Sequence, residues 1–293
     1  MLSLSRQRRL LLIKGFAFLS IIRWYNIGIV AFGQYLAAWR LLNPEAPARS
    51  IYLDLGLHLL VLSTAFNIAA GFLINAFYDV EKDLVNRPGK TFFGRLVSAA
   101  TCLRFYFLFN VAALGLALSV SWQLGVISTL LSFGMWLYSH KLKKTPLLGN
   151  FSNALLTIAA FLQVAFYYRT STPMLWIYVG LVFLVTLIRE LIKDVEALKG
   201  DVIFGYHTVP ADWGMPATRI LLFSMMALIA LPIIFTYQYL GWHQVFIPFG
   251  ACMMLGLLAA WRLLHARSLG DYGQVNELLK ILIVVGVLSM STL

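Results

Sequence analysis

The stretch GLHLLVLSTAFNIAAGFLINAFYDVEKD, residues 56–83, is an apolar run that ends in a group of carboxylates. Its apolar part, residues 56–78, is long enough to cross the hydrocarbon core of a membrane as an α-helix. Similar runs recur along the chain with polar breaks between them. We predict nine spans, at residues 16–39, 56–78, 101–120, 122–139, 151–168, 174–193, 217–238, 243–264 and 277–293. The sequence therefore predicts an all-α, polytopic membrane protein.

The composition supports this fold class. Of the 293 residues, 60% are hydrophobic and 12% are charged, and the mean hydropathy is +0.81. The charged share is about half of that in an ordinary soluble domain. Because all nine predicted spans fit into one bundle, we expect a single domain that covers residues 1–293.

The basic residues are distributed according to topology. A net charge of +11 would suit a nucleic-acid-binding protein. With nine spans and the N-terminus inside, however, the outer side keeps only Arg40, Arg49 and Arg169, and the remaining basic residues gather on the inner side. This asymmetry is the positive-inside rule. We therefore expect a multi-pass protein of the cytoplasmic or inner membrane, a cytoplasmic N-terminus and no nucleic-acid partner.

The acidic residues are clustered. Seven of the twelve acidic side chains fall in two short stretches: Asp79, Glu81 and Asp83, then Glu190, Asp194, Glu196 and Asp201. Carboxylates grouped at the edge of an apolar medium repel one another and are costly to desolvate, so a cation, usually a metal ion, must hold them charged. Both clusters fall on the predicted cytoplasmic face, and we interpret them as two halves of one site.

The first acidic motif has helical spacing. Asn75, Asp79 and Asp83 are four residues apart, which places them in one stripe that drifts by about 40° per step. Oxygen ligands alone favour a hard cation, and Mg²⁺ is the usual one beside phosphates. Arg87 and Lys90 follow directly and suit phosphate oxygens. The motif therefore indicates binding of a diphosphate with Mg²⁺.

The sixth predicted span runs into the second acidic motif. If that helix continues, Glu190, Asp194 and Asp201 lie within about 40° of one another around its axis, while Glu196 points elsewhere. Gly200 can end or loosen the helix before Asp201. Three carboxylates that face one way would form a second group of metal ligands.

Both motifs also have a simpler interpretation. The first is then a solvated helix end in which Lys82 offsets Asp79 and Asp83. The second is then an amphipathic cytoplasmic helix in which Lys193 and Lys199 balance the acids.

Polar residues near the start of the first span have two interpretations as well. Arg23 and Asn26 would be costly facing lipid, so we expect them to face a cavity. Arg23 can instead reach the cytoplasmic interface along its apolar stem. Asn26 and Asn67 can equally be hydrogen-bond partners between helices.

Four motifs occur in a fixed order. They are Arg23-Trp-Tyr-Asn26; Asn75-x-x-x-Asp79-x-x-x-Asp83 with Asn86-Arg87-Pro88; Tyr138-Ser139 with Leu142-Lys143 and Gly149-Asn150; and Arg189-Glu-Leu-Ile-Lys-Asp194 with Gly200-Asp201, Gly205 and Thr208-Val-Pro210. Together they resemble the UbiA superfamily of intramembrane prenyltransferases over most of the chain. The last motif is similar to the branch of digeranylgeranylglyceryl phosphate synthases and menaquinone-type enzymes. That branch has Asp where Ala197 stands, so one carboxylate is missing here.

The resemblance implies nine helices around a cavity that opens to the cytoplasm, with Mg²⁺ between the two acidic motifs and an isoprenyl diphosphate. The expected metal ligands are Asn75, Asp79, Asp83, Glu190, Asp194 and Asp201. The expected catalytic group is Asp79, Asp83, Asp194 and Asp201. The expected substrate-binding residues are Arg23, Asn26, Arg87, Lys90, Tyr138, Lys143, Asn150 and Lys193.

The expected reaction is prenyl transfer. Mg²⁺ assists ionisation of the diphosphate, and a dry aromatic pocket protects the allylic cation until a hydrophobic lipid or aromatic acceptor attacks it. The similarity of the second motif to the glycerolipid branch of the family implies a glycerol phosphate lipid or a related molecule as acceptor. Two alternatives stay open: a transporter or channel whose acids mark an ion path, and a degenerate lipid-binding member, for which Ala197 is the argument. Ionisable residues gather at one face, which favours phosphate chemistry.

Overall fold

A computed structural model describes residues 6–86, 96–240 and 242–293 of the chain, without the side chains of residues 6, 11 and 239–248. The described residues form fourteen α-helices and no β-strand. The helices are α1 (Arg6–Ile21), α2 (Trp24–Leu36), α3 (Ala48–Tyr52), α4 (Leu55–Tyr78), α5 (Val80–Asn86), α6 (Ala99–Val120), α7 (Trp122–His140), α8 (Leu148–Tyr168), α9 (Pro173–Ile203), α10 (Val209–Asp212), α11 (Gly214–Leu228), α12 (Ala230–Leu240), α13 (Trp242–Leu264) and α14 (Leu269–Ser289). A π-helix, Ala37–Leu42, extends α2, and short 3₁₀ turns occupy Leu142–Lys144 and Met290–Thr292.

Helices long and apolar enough to cross a membrane occur throughout the described chain. Six meet both criteria: Leu55–Tyr78, Ala99–Val120, Leu148–Tyr168, Pro173–Ile203, Gly214–Gln238 and Leu269–Thr292. A seventh is added when α1 and the extended α2, which are separated at Arg23, count as one span. The predicted spans 122–139 and 243–264 are helical but are not among these. An all-helical, multi-pass membrane protein is thus confirmed, and the count of nine spans stays a prediction.

The chain divides into two compact units, the first formed by residues 1–31 and 59–140. In the first unit, Ile22, Ala69, Leu73 and Cys102 form a buried apolar cluster. Asn67 joins α4 to α7, because its amide donates to Ser128 Oγ at 2.9 Å and its oxygen accepts from Ser132 Oγ at 2.8 Å. This is the interhelical role that the sequence analysis allowed for Asn67.

The second unit comprises residues 32–58 and 141–293. Its apolar core surrounds α9, with side chains from α9, α11, α13 and α14 buried together. Polar contacts tie further helices to this core. Gln34 of α2 donates to the carbonyl oxygen of Ala160 on α8 at 2.8 Å, and Tyr178 of α9 is 2.8 Å from Ser289 Oγ at the end of α14.

Helix α9 is the longest helix in the described part of the chain and carries the second acidic motif. The side chain of Thr172 caps it, with Oγ1 accepting from the Leu175 N–H at 3.2 Å, and Pro173 takes the first helical position, where a missing N–H does no harm. The helix passes through Gly200, which is buried, and ends at Ile203. Gly200 therefore does not end the helix, and Asp201 stays on the same rigid element as Glu190.

A cluster of hydrogen bonds around an aspartate lies at the C-terminal end of α8. Asp54, just before α4, accepts hydrogen bonds from Tyr167 Oη at 2.7 Å, Tyr168 Oη at 2.8 Å and the Leu57 N–H at 3.0 Å. Gly56 leaves room for Tyr167, because a Cβ at residue 56 would lie 2.3 Å from Tyr167 Oη. We call Asp54, Tyr167 and Tyr168 the Asp54 clamp.

Candidate functional site

The first acidic motif keeps helical spacing across the break between α4 and α5. The Asp79 N–H donates to the Asn75 carbonyl oxygen at 3.0 Å, and the Asp83 N–H donates to the Asp79 carbonyl oxygen at 2.8 Å. Asp79 is only 8% exposed. Lys82 Nζ is 3.9 Å from Asp79 Oδ1, so the ion pair of the simpler interpretation is present. A buried carboxylate is nevertheless unlike a solvated helix end, because burial disfavours its charge unless a cation is near.

Aromatic rings lie beside this motif in the first unit. Tyr78, directly before Asp79, has its ring centroid 5.4 Å from that of His140 at the end of α7. His140 in turn stacks on Trp136 at 5.3 Å with an interplanar angle of 5°. Such faces carry negative electrostatic potential, which suits a cationic group.

The substrate-binding residues predicted in the first unit lie on several different elements. Arg23 packs against α4, with its guanidinium carbon 5.0 Å from the centre of the Phe72 ring, which is a cation–π contact with a neighbouring helix. Asn26 and Tyr138 are half-buried on α2 and α7. Arg87 and Lys90 lie outside the described residues.

In the second unit, each carboxylate of the second motif has a polar partner. Lys193 Nζ donates to Glu190 Oε1 one turn away on α9. Asn150, near the start of α8, donates to Asp194 Oδ2 at 2.6 Å. Asp201 Oδ2 accepts from Thr208 Oγ1 at 3.2 Å. Glu190 and Asp201 are 7% and 1% exposed, so these contacts compensate for burial in part.

The loop between α7 and α8 packs directly on the start of α8. A Cβ added to Gly149 would lie 2.8 Å from the Lys143 Cα and 2.9 Å from the Leu142 carbonyl oxygen. Because both atoms belong to the backbone, only glycine allows this approach. The approach holds Lys143 close to the first turn of α8, the turn that also carries Asn150.

The turn after α9 also contacts the loop between α7 and α8. The His207 N–H donates to the Lys144 carbonyl oxygen at 3.0 Å. The Lys144 ammonium lies 5.2 Å from the centre of the Tyr206 ring, within the range of a cation–π contact. The second unit thus brings together Asn150, the second motif and a basic loop.

The donor atoms at both motifs suit a hard divalent cation. Carboxylate and amide oxygens are the ligands that Mg²⁺ takes. Within the described ranges, no three His, Cys, Asp or Glu side chains form a complete metal-binding group. A metal site at these motifs therefore stays a prediction, in which substrate phosphates and water would complete the coordination shell, as they do in magnesium sites.

These features define a multi-pass helical membrane protein with an oxygen-donor site at the end of its longest described helix. The UbiA prenyltransferase family matches residues 30–274 of the chain. The digeranylgeranylglyceryl phosphate synthase of Methanopyrus kandleri is 30% identical over 275 residues, which cover 93% of this chain and 97% of that relative. The chain therefore belongs to the UbiA prenyltransferase family.

Solved structures share the fold over most of the chain. A structure of a digeranylgeranylglyceryl phosphate synthase is 23% identical, with a TM-score of 0.67 over 94% of this chain and 97% of that one. A UbiA homolog from Archaeoglobus fulgidus, bound to GPP and Mg²⁺, is 16% identical, with a TM-score of 0.63 over 94% of this chain and 99% of that one.

The predicted family, the class of enzyme and prenyl transfer as the reaction are confirmed by these findings. Family membership decides against the transporter or channel. The site residues and the meeting of the two motifs stay predictions.

Sequence analysis missed two polar residues that contact the motifs. Asn276 on α14 contacts both Arg189 and Glu196. Thr208 was noted only as part of a motif, and its contact with Asp201 was not foreseen. The sequence carries no signal for Asn276, because it lies just before the predicted span 277–293 in a polar stretch with Gln274 and Glu277.

Proposed function

We propose that this protein transfers a prenyl group from a prenyl diphosphate to the hydroxyl of a glycerophosphate lipid within the membrane. The observation that carries the proposal is the burial of Glu190 and Asp201 on a helix long enough to span a membrane, beside a basic loop. Buried carboxylates persist when they are paired or hold cations. The printed name of the Methanopyrus kandleri relative supports the choice of acceptor.

We propose that the two acidic motifs together hold Mg²⁺ with the diphosphate. Asn75, Asp79 and Asp83 would supply oxygens from one side, and Glu190, Asp194 and Asp201 from the other. Bound Mg²⁺ supplies charge neutralisation of the leaving diphosphate. The Mg²⁺ present in the Archaeoglobus fulgidus structure supports this role.

The protein's own residues position and protect the reactants. Basic side chains such as Lys143 and Lys193 balance the charge of the diphosphate, with Arg87, Lys90 and Arg23 as further partners. The allylic C–O bond breaks with its electron pair going to the diphosphate. The acceptor hydroxyl oxygen then attacks the allylic carbon, and its proton passes to a carboxylate or to water. Apolar helices exclude other water from the cation.

We propose the topology that the basic residues favour. The chain then crosses the membrane nine times as one domain, and the N-terminus and a cavity with both motifs face the cytoplasm. Arg40, Arg49 and Arg169 would lie on the other side. The family match over residues 30–274 supports a single functional domain.

Labelled prenyl diphosphates of several lengths, given to the purified protein with candidate acceptors and Mg²⁺, test the proposal. We expect a prenylated glycerophosphate lipid and release of one diphosphate per product. Asp79→Asn and Asp194→Asn should each lower the rate by about 100-fold, while Glu277→Ala, which changes an exposed acid of α14, should not. The unfolding midpoint of every variant checks that it is folded.

Absence of turnover by folded protein with every donor and acceptor would reject the proposal and favour the degenerate lipid-binding alternative. Turnover with aromatic acceptors alone would keep prenyl transfer and reject the glycerophosphate acceptor.

A further inference from the structure

A buried amide on the last helix contacts α9 at two positions within the stretch that carries the second acidic motif. Asn276 of α14 is 6% exposed. Its side-chain oxygen accepts a hydrogen bond from Arg189 Nε at 3.1 Å, and its side-chain nitrogen is 3.4 Å from Glu196 Oε1, to which it donates. One side chain thus connects two charged residues of opposite sign on α9.

The two residues that Asn276 contacts share one face of α9. Arg189 and Glu196 are seven residues apart, which places them within about 20° of each other around the helix axis. Glu190 and Asp194, by contrast, lie about 100° or more away from that face. Asn276 therefore contacts α9 on a different face from the carboxylates expected to hold metal.

The apolar contacts around Asn276 do not by themselves fix the rotation of α9 about its own axis. Ile192 and Val195 of α9 are buried in one cluster with Val275 and Leu279 of α14. Aliphatic surfaces hold two helices at a distance, but they tolerate repacking more readily than a hydrogen-bonded pair does. The donor and the acceptor on one amide together specify the rotation of α9 about its axis.

An amide is well matched to this position. Asparagine can accept from the Arg189 guanidinium and donate to the Glu196 carboxylate at the same time. Aspartate could only accept, and would place a second negative charge next to Glu196. Gly273, one turn before Asn276, also faces Glu196, since a Cβ there would lie 3.8 Å from Glu196 Oε1, an ordinary contact distance.

We infer that Asn276 is a positioning residue, which sets the rotation of α9 about its axis through Arg189 and Glu196 and so aims Glu190 and Asp194 at the diphosphate and its metal ions. The inference rests on the proposed function. It assigns to the last helix a part in the reaction without contact with the reactants.

A charge swap tests this inference. Asn276→Asp keeps an acceptor for Arg189 but repels Glu196, and Glu196→Gln in the same chain restores a donor opposite it. The measurements are kcat, the KM for prenyl diphosphate, the Mg²⁺ concentration at half-maximal rate, and the unfolding midpoint with and without Mg²⁺ plus a non-reactive prenyl thiodiphosphate. Glu277→Gln, the next residue on α14, is the matched control.

We expect Asn276→Asp to lower kcat and to raise the half-maximal Mg²⁺ concentration, each by about 10-fold, as is usual when a residue that orients metal ligands is lost. Adding Glu196→Gln should return both values to within about threefold of wild type. Glu277→Gln should change neither. The stabilisation by Mg²⁺ and thiodiphosphate should follow the same order.

Wild-type kcat and Mg²⁺ dependence in Asn276→Asp would overturn the inference. So would a loss that Glu196→Gln does not recover, whether the single variant is folded or not. If the wild-type protein turned over no prenyl diphosphate, the proposed function would fail, and the ligand-dependent shift of the unfolding midpoint would still decide the role of Asn276. An unchanged shift across all variants would reject it.

Discussion

The side-chain amide of Asn150 donates a 2.6 Å hydrogen bond to the carboxylate of Asp194, although 44 residues separate them in the chain. The bond joins the first turn of α8 to the second acidic motif on α9. Sequence analysis predicted Asn150 as a substrate-binding residue. The structure shows its amide bound to a predicted metal ligand, and the substrate-binding role stays a prediction.

Replacing Asn150 should impair turnover more than stability. Loss of a hydrogen bond that orients a metal ligand typically costs about 10- to 100-fold in activity, so Asn150→Ala should lower kcat/KM by about that factor. Asn150→Asp should lower it further, because two carboxylates would then meet. Steady-state kinetics at several Mg²⁺ concentrations measure the effect, with Ser152→Ala on another side of α8 as control. Equal losses in Asn150→Ala and Ser152→Ala would contradict this account.

Gly149→Ala should disturb the loop between α7 and α8. The added methyl group would press on the backbone of Lys143, and crowding of this kind costs about 1–3 kcal/mol. We expect a lower unfolding midpoint and a lower rate. Gly115→Ala is the matched control, because no atom lies within 4 Å of a Cβ at that position. A midpoint for Gly149→Ala at or above that of the control would show that the loop moves freely.

Ala197→Asp should strengthen metal binding. Residue 197 lies on the same stripe of α9 as Glu190, Asp194 and Asp201, and a carboxylate there would add an oxygen donor. We expect the half-maximal Mg²⁺ concentration to fall by about threefold or more.

The matched control for this change is Val202→Asp. It adds the same charge to α9 at an exposed position, turned by about 140° around the axis from residue 197. We expect it to leave the Mg²⁺ requirement within about twofold of wild type, because its carboxylate points away from the stripe. A rise in the Mg²⁺ requirement of Ala197→Asp would indicate repulsion without a shared metal ion.

The Asp54 clamp should make stability depend on pH. Partial burial raises the pKa of Asp54, but hydrogen bonds from Tyr167, the Leu57 N–H, Tyr168 and the Gly56 N–H outweigh it, so the pKa lies below its ordinary value. The charged form is thus favoured by folding, and the stabilisation is present above the unfolded pKa of about 3.9 and lost as pH falls through the folded pKa.

Asp54→Asn should therefore lower the unfolding midpoint by about 2–4 °C at pH 7. The difference from wild type should shrink as the pH falls below about 4, because the carboxylate is protonated first in the unfolded chain and at lower pH in the folded protein. Tyr168→Phe removes one of the donors and should show a smaller effect with the same sign. Thermal unfolding across a pH series measures both variants. A difference that stays constant down to acid pH would assign the effect to packing.

The sequence could predict those features that depend only on the geometry within one helix. The stripe of Glu190, Asp194 and Asp201 follows from 100° per residue on one helix, and α9 does continue through all three. The partners Asn150, Thr208 and Asn276 come from other elements, and the packing of α8 and α14 on α9 brings them near. No pattern along the chain contains that packing.

The breaks between helices could not be predicted from the sequence either. Arg23 has a φ of 50° between α1 and α2, and Leu147 has a φ of 57° just before α8. Neither residue type favours the left-handed region, so tertiary contacts must hold these conformations. The Asp54 clamp was missed for a similar reason, because its two tyrosines lie more than 110 residues away along the chain.

The length of α9 has a consequence for the lipid environment. Its 31 residues make a rod of about 46 Å, whereas the hydrocarbon layer is about 30 Å thick. Such a rod must tilt or project, and thinner or thicker bilayers change how far it does so. Because the acidic motif forms the last turns of this rod, its depth relative to the headgroups follows lipid chain length. We therefore expect the rate of catalysis in reconstituted vesicles to depend on the acyl or isoprenoid chain length of the lipids.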